Sequence, residues 1–259
     1  MQTPKTVTDQ LGERITFPFP PKRIISLVPS QTEWLASLAL DQEVIGITKF
    51  CIHPSVWYKT KIHIGGTKNF SFEAIAALKP DLVIGNKEEN YPEGIYRLRN
   101  DFPVWMSDIY SLDDALKMMI AVAEIAGKTE KANALLQKIK SSFEDLKPRK
   151  KRSVLYLIWR KPWMAVGKNT FIDDMLSRNG FVNILEEERY PEITADSIQS
   201  LKPDLVFLSS EPYPFRERHA EEIKSLFPDA TTVLVDGEMF SWYGSRLLLA
   251  PAYFENLRF

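Results

Sequence analysis

Two stretches of this 259-residue chain carry the same six residues in a row: Leu78 to Val83 and Leu201 to Val206 both read Leu-Lys-Pro-Asp-Leu-Val. Their surroundings agree as well. SFEAIAALKPDLVIG (71–85) aligns with TADSIQSLKPDLVFL (194–208) at a constant offset of 123 residues, which sets Glu73 on Asp196 and Ile75 on Ile198. Each copy predicts a helix capped by Ser71 or Thr194, a Lys-Pro-Asp turn that closes it, and a buried strand. αβ units do reuse such turns, and two copies are too few for a solenoid. The repeat therefore points to two similar α/β lobes.

Between the copies lies KTEKANALLQKIKSSFEDLK (Lys128 to Lys147), rich in strong helix formers. Ala132, Leu135, Leu136, Ile139, Phe143 and Leu146 recur at three- and four-residue steps and make one apolar stripe on a charged rod. Such a helix is about 30 Å long. It is either an ordinary amphipathic helix on one core or a strut between lobes, and the repeat favours the strut. The expected organisation is an N-terminal α/β lobe over 1–127, a connecting backbone helix over 128–147 and a C-terminal α/β lobe over 148–259.

Along the chain, 3–14 reads as an extended or hairpin entry, and the Pro-rich Phe17 to Arg23 as a surface lead-in. RIISLV (23–28) predicts a buried strand, and the following helix is expected to be capped by Ser30 or Thr32. Strands then alternate with helices through both halves, which argues for parallel sheets. In such sheets ligands sit beyond the carboxyl ends of the strands. The loops at those ends carry Phe50, Phe70, Trp159, Trp163, Phe215, Phe240, Trp242 and Tyr243, interleaved with Lys49, Lys68, Lys87, Arg160, Lys161 and Arg246. Aromatics clustered in loops need a partner, either the core beneath them or a ligand. Arginine beside aromatic rings suits a flat or anionic ligand, while each lysine alone reads as a solvated charge.

Composition narrows the function. Hydrophobic residues at 44% and charged ones at 26% are globular values. A net charge of −1 gives no electrostatic case for nucleic acid or an anionic membrane. Cys51 is the only cysteine, so no internal disulfide forms. The chain has no dinucleotide fingerprint, Walker loop or nucleophile elbow. His53, His63 and His219 are its only histidines, and their contexts do not suggest a shared metal site; Glu186 to Glu188 reads as a solvated acidic turn. The polar start lacks the apolar core of a signal peptide, so residence in the cytoplasm and a removed export signal or lipid anchor both stay open.

RIISLVPSQTEWLASLAL, VIGIT, FEAIAALKPDLVIG, the long helix and SIQSLKPDLVFLS occur in that order with normal spacing. Together they resemble the substrate-binding proteins of ABC importers that have a single helical backbone, the group that includes cobalamin- and ferric-siderophore-binding proteins. The resemblance runs from Arg23 to the terminal helix. It implies two Rossmann-like lobes with parallel sheets joined by one long helix, a class III periplasmic binding protein fold, with the ligand in an interlobe cleft. It further implies a periplasmic or cell-envelope location, no catalysis, and no cofactor or metal site of the protein's own, since any cobalt or iron belongs to the ligand. The implied partners are a small metal chelate and an ABC importer permease dimer, met by a monomer. By position, Phe50 stands where cobalamin binders carry a tyrosine, Thr67 where they carry a tryptophan, and Trp242 with Arg246 falls in the last loop. The candidate ligand set is Ser30, Phe50, Thr67, Lys68, Phe70, Trp159, Arg160, Trp163, Trp242, Tyr243 and Arg246. The family's docking carboxylates fall on Glu73 and Asp196. A two-lobed Rossmann enzyme such as a glycosyltransferase, and a cytoplasmic chelate carrier or sensor, are the rival readings.

Overall fold

The computed structural model describes residues 3–147, 149–194, 198 and 200–259. The chain divides into two compact units. The first comprises 1–109, 113–138 and 243–246, and the second 110–112, 139–242 and 247–259.

In the first unit, β1 (Thr3–Thr8) and β2 (Arg14–Phe19) form an antiparallel hairpin. Asp9 shapes its turn, accepting the N–H groups of Leu11 and Glu13, and its other oxygen meets Arg99 Nη2 at 3.1 Å. The hairpin extends into the stretch expected to be a surface lead-in: Phe17 lies in β2 and is buried, because alternate residues of the strand face inward. A parallel five-stranded sheet follows, in the order β5 (Ile62–His63), β4 (Val44–Ile47), β3 (Ile24–Ser26), β6 (Leu82–Asn86), β7 (Val104–Ser107). The intervening helices are α1 (Pro29–Ser37), α2 (Ser55–Thr60), α3 (Phe72–Leu78) and α4 (Pro92–Asp101). Trp34 and Trp105 are core, as their apolar contexts suggest, and the Trp34 indole donates to the Met119 carbonyl.

Helix α1 does not start as expected. Its N-cap is Val28, with Pro29 in the first turn, where a missing N–H costs nothing. Thr32 lies a full turn inside, and its hydroxyl donates to the Val28 carbonyl and to Ser26 Oγ. Ser71, by contrast, caps α3 as read, accepting Ala74 N–H at 3.1 Å.

Helix α5 (Leu112–Ala126) runs up to Gly127, whose φ of +67° breaks the helix, and α6 (Thr129–Glu144) follows. Helix α6 stops three residues short of Lys147, since the position before Pro148 in the sequence disfavours helical backbone.

The second unit holds a parallel sheet in the order β10 (Phe181–Asn183), β8 (Arg152–Trp159), β11 (Leu205–Ser209), β12 (Thr231–Val235), with β9 (Met164–Ala165) antiparallel to β8. Its helices include α7 (Phe171–Arg178), α8 (Glu217–Leu226), α9 (Glu238–Ser241) and α10 (Ala250–Asn256); a 3-10 turn spans Ser245–Leu248.

The repeat gains a physical explanation here. Strand β6 lies between β3 and β7, and β11 between β8 and β12, so both copies fill the same place beside the first strand of their sheet. The aspartate of each Lys-Pro-Asp turn holds the start of that first strand. Asp81 Oδ2 accepts the N–H groups of Lys22 and Arg23, at 2.7 and 3.0 Å, and Asp204 Oδ2 accepts Ser153 N–H at 2.7 Å.

Candidate functional site

The carboxyl ends of the first sheet carry a set of tightly built loops. After β4, Lys49 N–H bonds the Gly65 carbonyl, which brings the 49–51 turn against the 65–70 turn. Phe50 projects from it, half exposed, with the Lys49 ammonium 5.1 Å from its ring centre. Its ring lies over Gly66, where a Cβ would come within 3.2 Å of the ring and closer still to the Asn69 side chain. Thr67 is half-buried and its carbonyl accepts the Asn90 amide; Lys68 is exposed. Phe70 faces the other way, 4% exposed and packed on Phe72 and Tyr91. After β6, Asn86 Oδ1 takes the N–H groups of Glu88 and Glu89, and Asn90 Oδ1 takes Asn86 N–H, so the loop is fixed by its own side chains.

The segment 243–246 belongs to this unit and is held by carboxylates absent from the candidate set. Arg246 makes two bonds to Glu33, at 2.9 and 3.2 Å, and Tyr243 Oη donates to Glu89 at 2.6 Å. Gly244 lies on the Ser30 carbonyl with φ +139°; a Cβ there would meet that oxygen at 2.8 Å. Ser30, Tyr243 and Arg246 are therefore all buried, and burial together with Glu89 raises the Tyr243 hydroxyl well above its usual pKa. Cys51 is buried beside the hydroxyls of Thr32 and Thr48, and burial pushes its thiol up to about 11.

In the second unit Trp159, the last residue of β8, is the most exposed tryptophan of the candidate set at 39%. Its ring meets Tyr213 edge to face at 5.7 Å, while Trp163 stacks on Phe215 with rings within 5° of parallel. Arg160 forms a two-bond pair with Glu222 and lies 5.8 Å from the Trp163 ring. His219 is buried against Tyr213 and Phe215; its Nδ1 accepts Arg216 N–H, and burial beside Arg218 and Arg160 keeps its pKa below the usual histidine value.

Trp242 is buried, and its indole N–H donates to Glu211 Oε1 at 2.8 Å, an oxygen that also accepts Ser241 Oγ at 2.6 Å. Burial, with Glu238 and Asp236 near, raises the Glu211 carboxyl above its ordinary pKa. Glu211 and Tyr213 were not singled out from the sequence. Both lie in SSEPYPF (209–215), directly after the repeated strand, and that position was the available signal.

Of the candidate set, the structure thus leaves Phe50, Thr67, Lys68, Trp159, Arg160 and Trp163 at least partly accessible. Ser30, Phe70, Trp242, Tyr243 and Arg246 sit inside their units. Glu73 is exposed in the first turn of α3, and its own backbone N–H and the Ser71 hydroxyl lower its pKa. Asp196 lies outside the described residues. Among the described residues, no three His, Cys, Asp or Glu side chains are grouped to hold a metal ion, and no helix is long and apolar enough to cross a membrane.

Each unit thus carries a parallel sheet with aromatic and cationic side chains accessible near the carboxyl ends of its strands. Residues 24–225 match the periplasmic binding protein family, and the chain belongs to it. That family is made up of substrate-binding proteins. An ABC transporter substrate-binding lipoprotein of Bacillus subtilis is 27% identical over 216 residues, covering 78% of this chain and 68% of its own. The vitamin B12-binding protein of Vibrio cholerae is 23% identical over 199 residues, 74% of this chain and 72% of its own. Among solved structures, a periplasmic haem-binding protein from Roseiflexus superposes with a TM-score of 0.77 at 20% identity, over 90% of this chain and 97% of the other.

Proposed function

We propose that this protein captures a metal chelate of the cobalamin, haem or iron–siderophore type and delivers it to an ABC importer at the cell envelope. One observation carries the choice of ligand class: accessible aromatic rings at the carboxyl ends of strands in each unit, Phe50 beside the Lys49 ammonium and, at the end of β8, Trp159 with Trp163, over which Arg160 lies. A large conjugated chelate offers the flat surface that such rings bury. Relatives named for vitamin B12 and haem binding support the same class. The cobalt or iron would arrive with the ligand, and the chain would act as a monomer with no chemistry of its own. Glu73 and Asp196 would meet basic residues of a permease dimer.

The test is retention of colour. The protein is mixed with cobalamin, haem and ferric chelates in turn and desalted. A stoichiometric coloured complex with one of them supports the reading. Colourless protein in every case, with tight binding of a nucleotide sugar instead, would overturn it in favour of a two-lobed enzyme.

A further inference from the structure

Beneath the loops of the first unit runs a line of buried polar side chains that reaches an accessible turn. Gln31, Asn86, Asn90 and Ser107 are each no more than 3% exposed. Gln31 Nε2 donates to Ser107 Oγ at 2.6 Å, and Asn86 Nδ2 donates to the same hydroxyl at 3.0 Å. Asn86 N–H donates to Asn90 Oδ1 at 2.9 Å. Asn90 Nδ2 then ends the line on the Thr67 carbonyl, 23 residues away in the chain, at 2.9 Å. Buried amides cost stability unless they are bonded, yet a bonded line of them fixes positions more sharply than apolar packing does.

The direction of the Asn90 amide is settled by its partners. Its oxygen accepts a backbone N–H, so its nitrogen must be the atom that faces Thr67. Gly85 leaves room for that oxygen, since a Cβ there would come within 2.6 Å of it. The loop that carries Asn90 is held at further points: Asn86 Oδ1 accepts the N–H groups of Glu88 and Glu89, and Tyr243 Oη donates to Glu89. Thr67 lies in a turn closed by a bridge between Gly65 and Phe70, with Lys68 and Asn69 exposed at its tip. That turn in turn supports Phe50. The Gly65 carbonyl accepts Lys49 N–H at 2.8 Å, and the Phe50 ring lies over Gly66.

We propose that Asn90 is a positioning residue for ligand capture. Through the Thr67 carbonyl it holds the 65–70 turn, and with it Phe50, in the form that meets the chelate; the inference rests on the chelate reading above. Phe50 and Thr67 would touch the ligand, while Asn90 acts from beneath. The Phe70 ring, 5.0 Å from that of Tyr91, keeps the turn near the start of α4 by a separate contact. Loss of the Asn90 bond therefore loosens the turn and leaves the fold.

The experiment compares the wild type with two variants of the full chain. Asn90→Asp keeps the acceptor for Asn86 N–H and sets an oxygen against the Thr67 carbonyl, and Asn90→Ala loses both bonds. Asp81→Ala is the control, because Asp81 bonds Lys22 and Arg23 at the opposite end of β6. Amide hydrogen exchange is followed without ligand, and affinity is measured for cobalamin, haem and a ferric siderophore. Exchange across 49–52 and 65–70 should quicken by roughly tenfold in both Asn90 variants and stay at the wild-type rate in Asp81→Ala. The chelate that the wild type retains should bind roughly tenfold more weakly to the Asn90 variants alone. Unchanged exchange in the two turns would overturn the link, and loosened turns with unchanged affinity would overturn its role in capture. An equal loss of affinity in Asp81→Ala, or failure of both Asn90 variants to fold, would make Asn90 a residue of general stability and overturn the proposal too. If the wild type retains none of the three, the chelate reading falls and this role with it, a failure seen in the wild type and so distinct from failure of the Asn90 link.

Discussion

Glu211 shows how burial sets the behaviour of a single side chain in these loops. Its carboxyl is raised above the ordinary value of 4.5, so the folded chain holds that proton more tightly than the unfolded chain does. The associated stability is fully present below pH 4.5 and is lost as the pH rises through the raised value. Near neutral pH the charged carboxylate is therefore a cost. Glu211→Gln keeps an acceptor for Ser241 and Trp242 and removes that cost. Its melting temperature should exceed the wild type's at pH 7, and the gain should vanish in scans run below pH 4.5. A gain that grew towards acid would contradict the sign. Trp242 tests the same contact from the other side. Since the indole is buried and bonded to Glu211, Trp242→Ala should cost about 3–5 kcal/mol in denaturant titrations, through the cavity and the lost donor.

At the scale of elements, the paired turns are the sharpest feature. Asp81 and Asp204 each tie the strand that follows the helix to the first strand of its sheet. Asp81→Ala and Asp204→Ala should each lower stability by about 1 kcal/mol, with asparagine losing less, as measured by thermal unfolding. These turns were legible because their chemistry is local and stated twice. The alternation of strands and helices was legible for the same reason, in hydrophobic runs punctuated by turns. What failed was also local but ambiguous. Ser30 and Thr32 are good caps by type, yet Pro29 starts α1 earlier, and Thr32 spends its hydroxyl inside the helix. Phe17 hid its strand because the prolines that follow it, Pro18, Pro20 and Pro21, read as a loop, while β2 tolerates Pro18 in a two-stranded hairpin.

At the scale of the whole molecule, the site was only half legible. That aromatic rings crowd the post-strand loops follows from sequence and topology alone. Which rings remain accessible does not, since that depends on partners far away in the chain. Arg246 finds Glu33 across 213 residues, Tyr243 finds Glu89 across 154, and Trp242 finds Glu211 across 31. No local pattern announces such pairs. The docking reading belongs to this scale too. Reversing both candidate anchors, Glu73→Lys with Asp196→Lys, should leave chelate affinity in solution unchanged and abolish stimulation of the cognate importer's ATPase. Wild-type stimulation by that variant would rule out a docking role for both acids.

The central claim is that accessible aromatic rings, Phe50 and Trp159 foremost, capture a metal chelate. The most direct measurement is a titration of tryptophan fluorescence with cobalamin, haem and a ferric siderophore. Saturable quenching at one chelate per chain is predicted for at least one of the three. At least one of Phe50→Ala and Trp159→Ala should weaken that binding by about 1–3 kcal/mol, with the fold intact. Quenching that never saturates with any of the three, or affinity unmoved in both variants, would contradict the account.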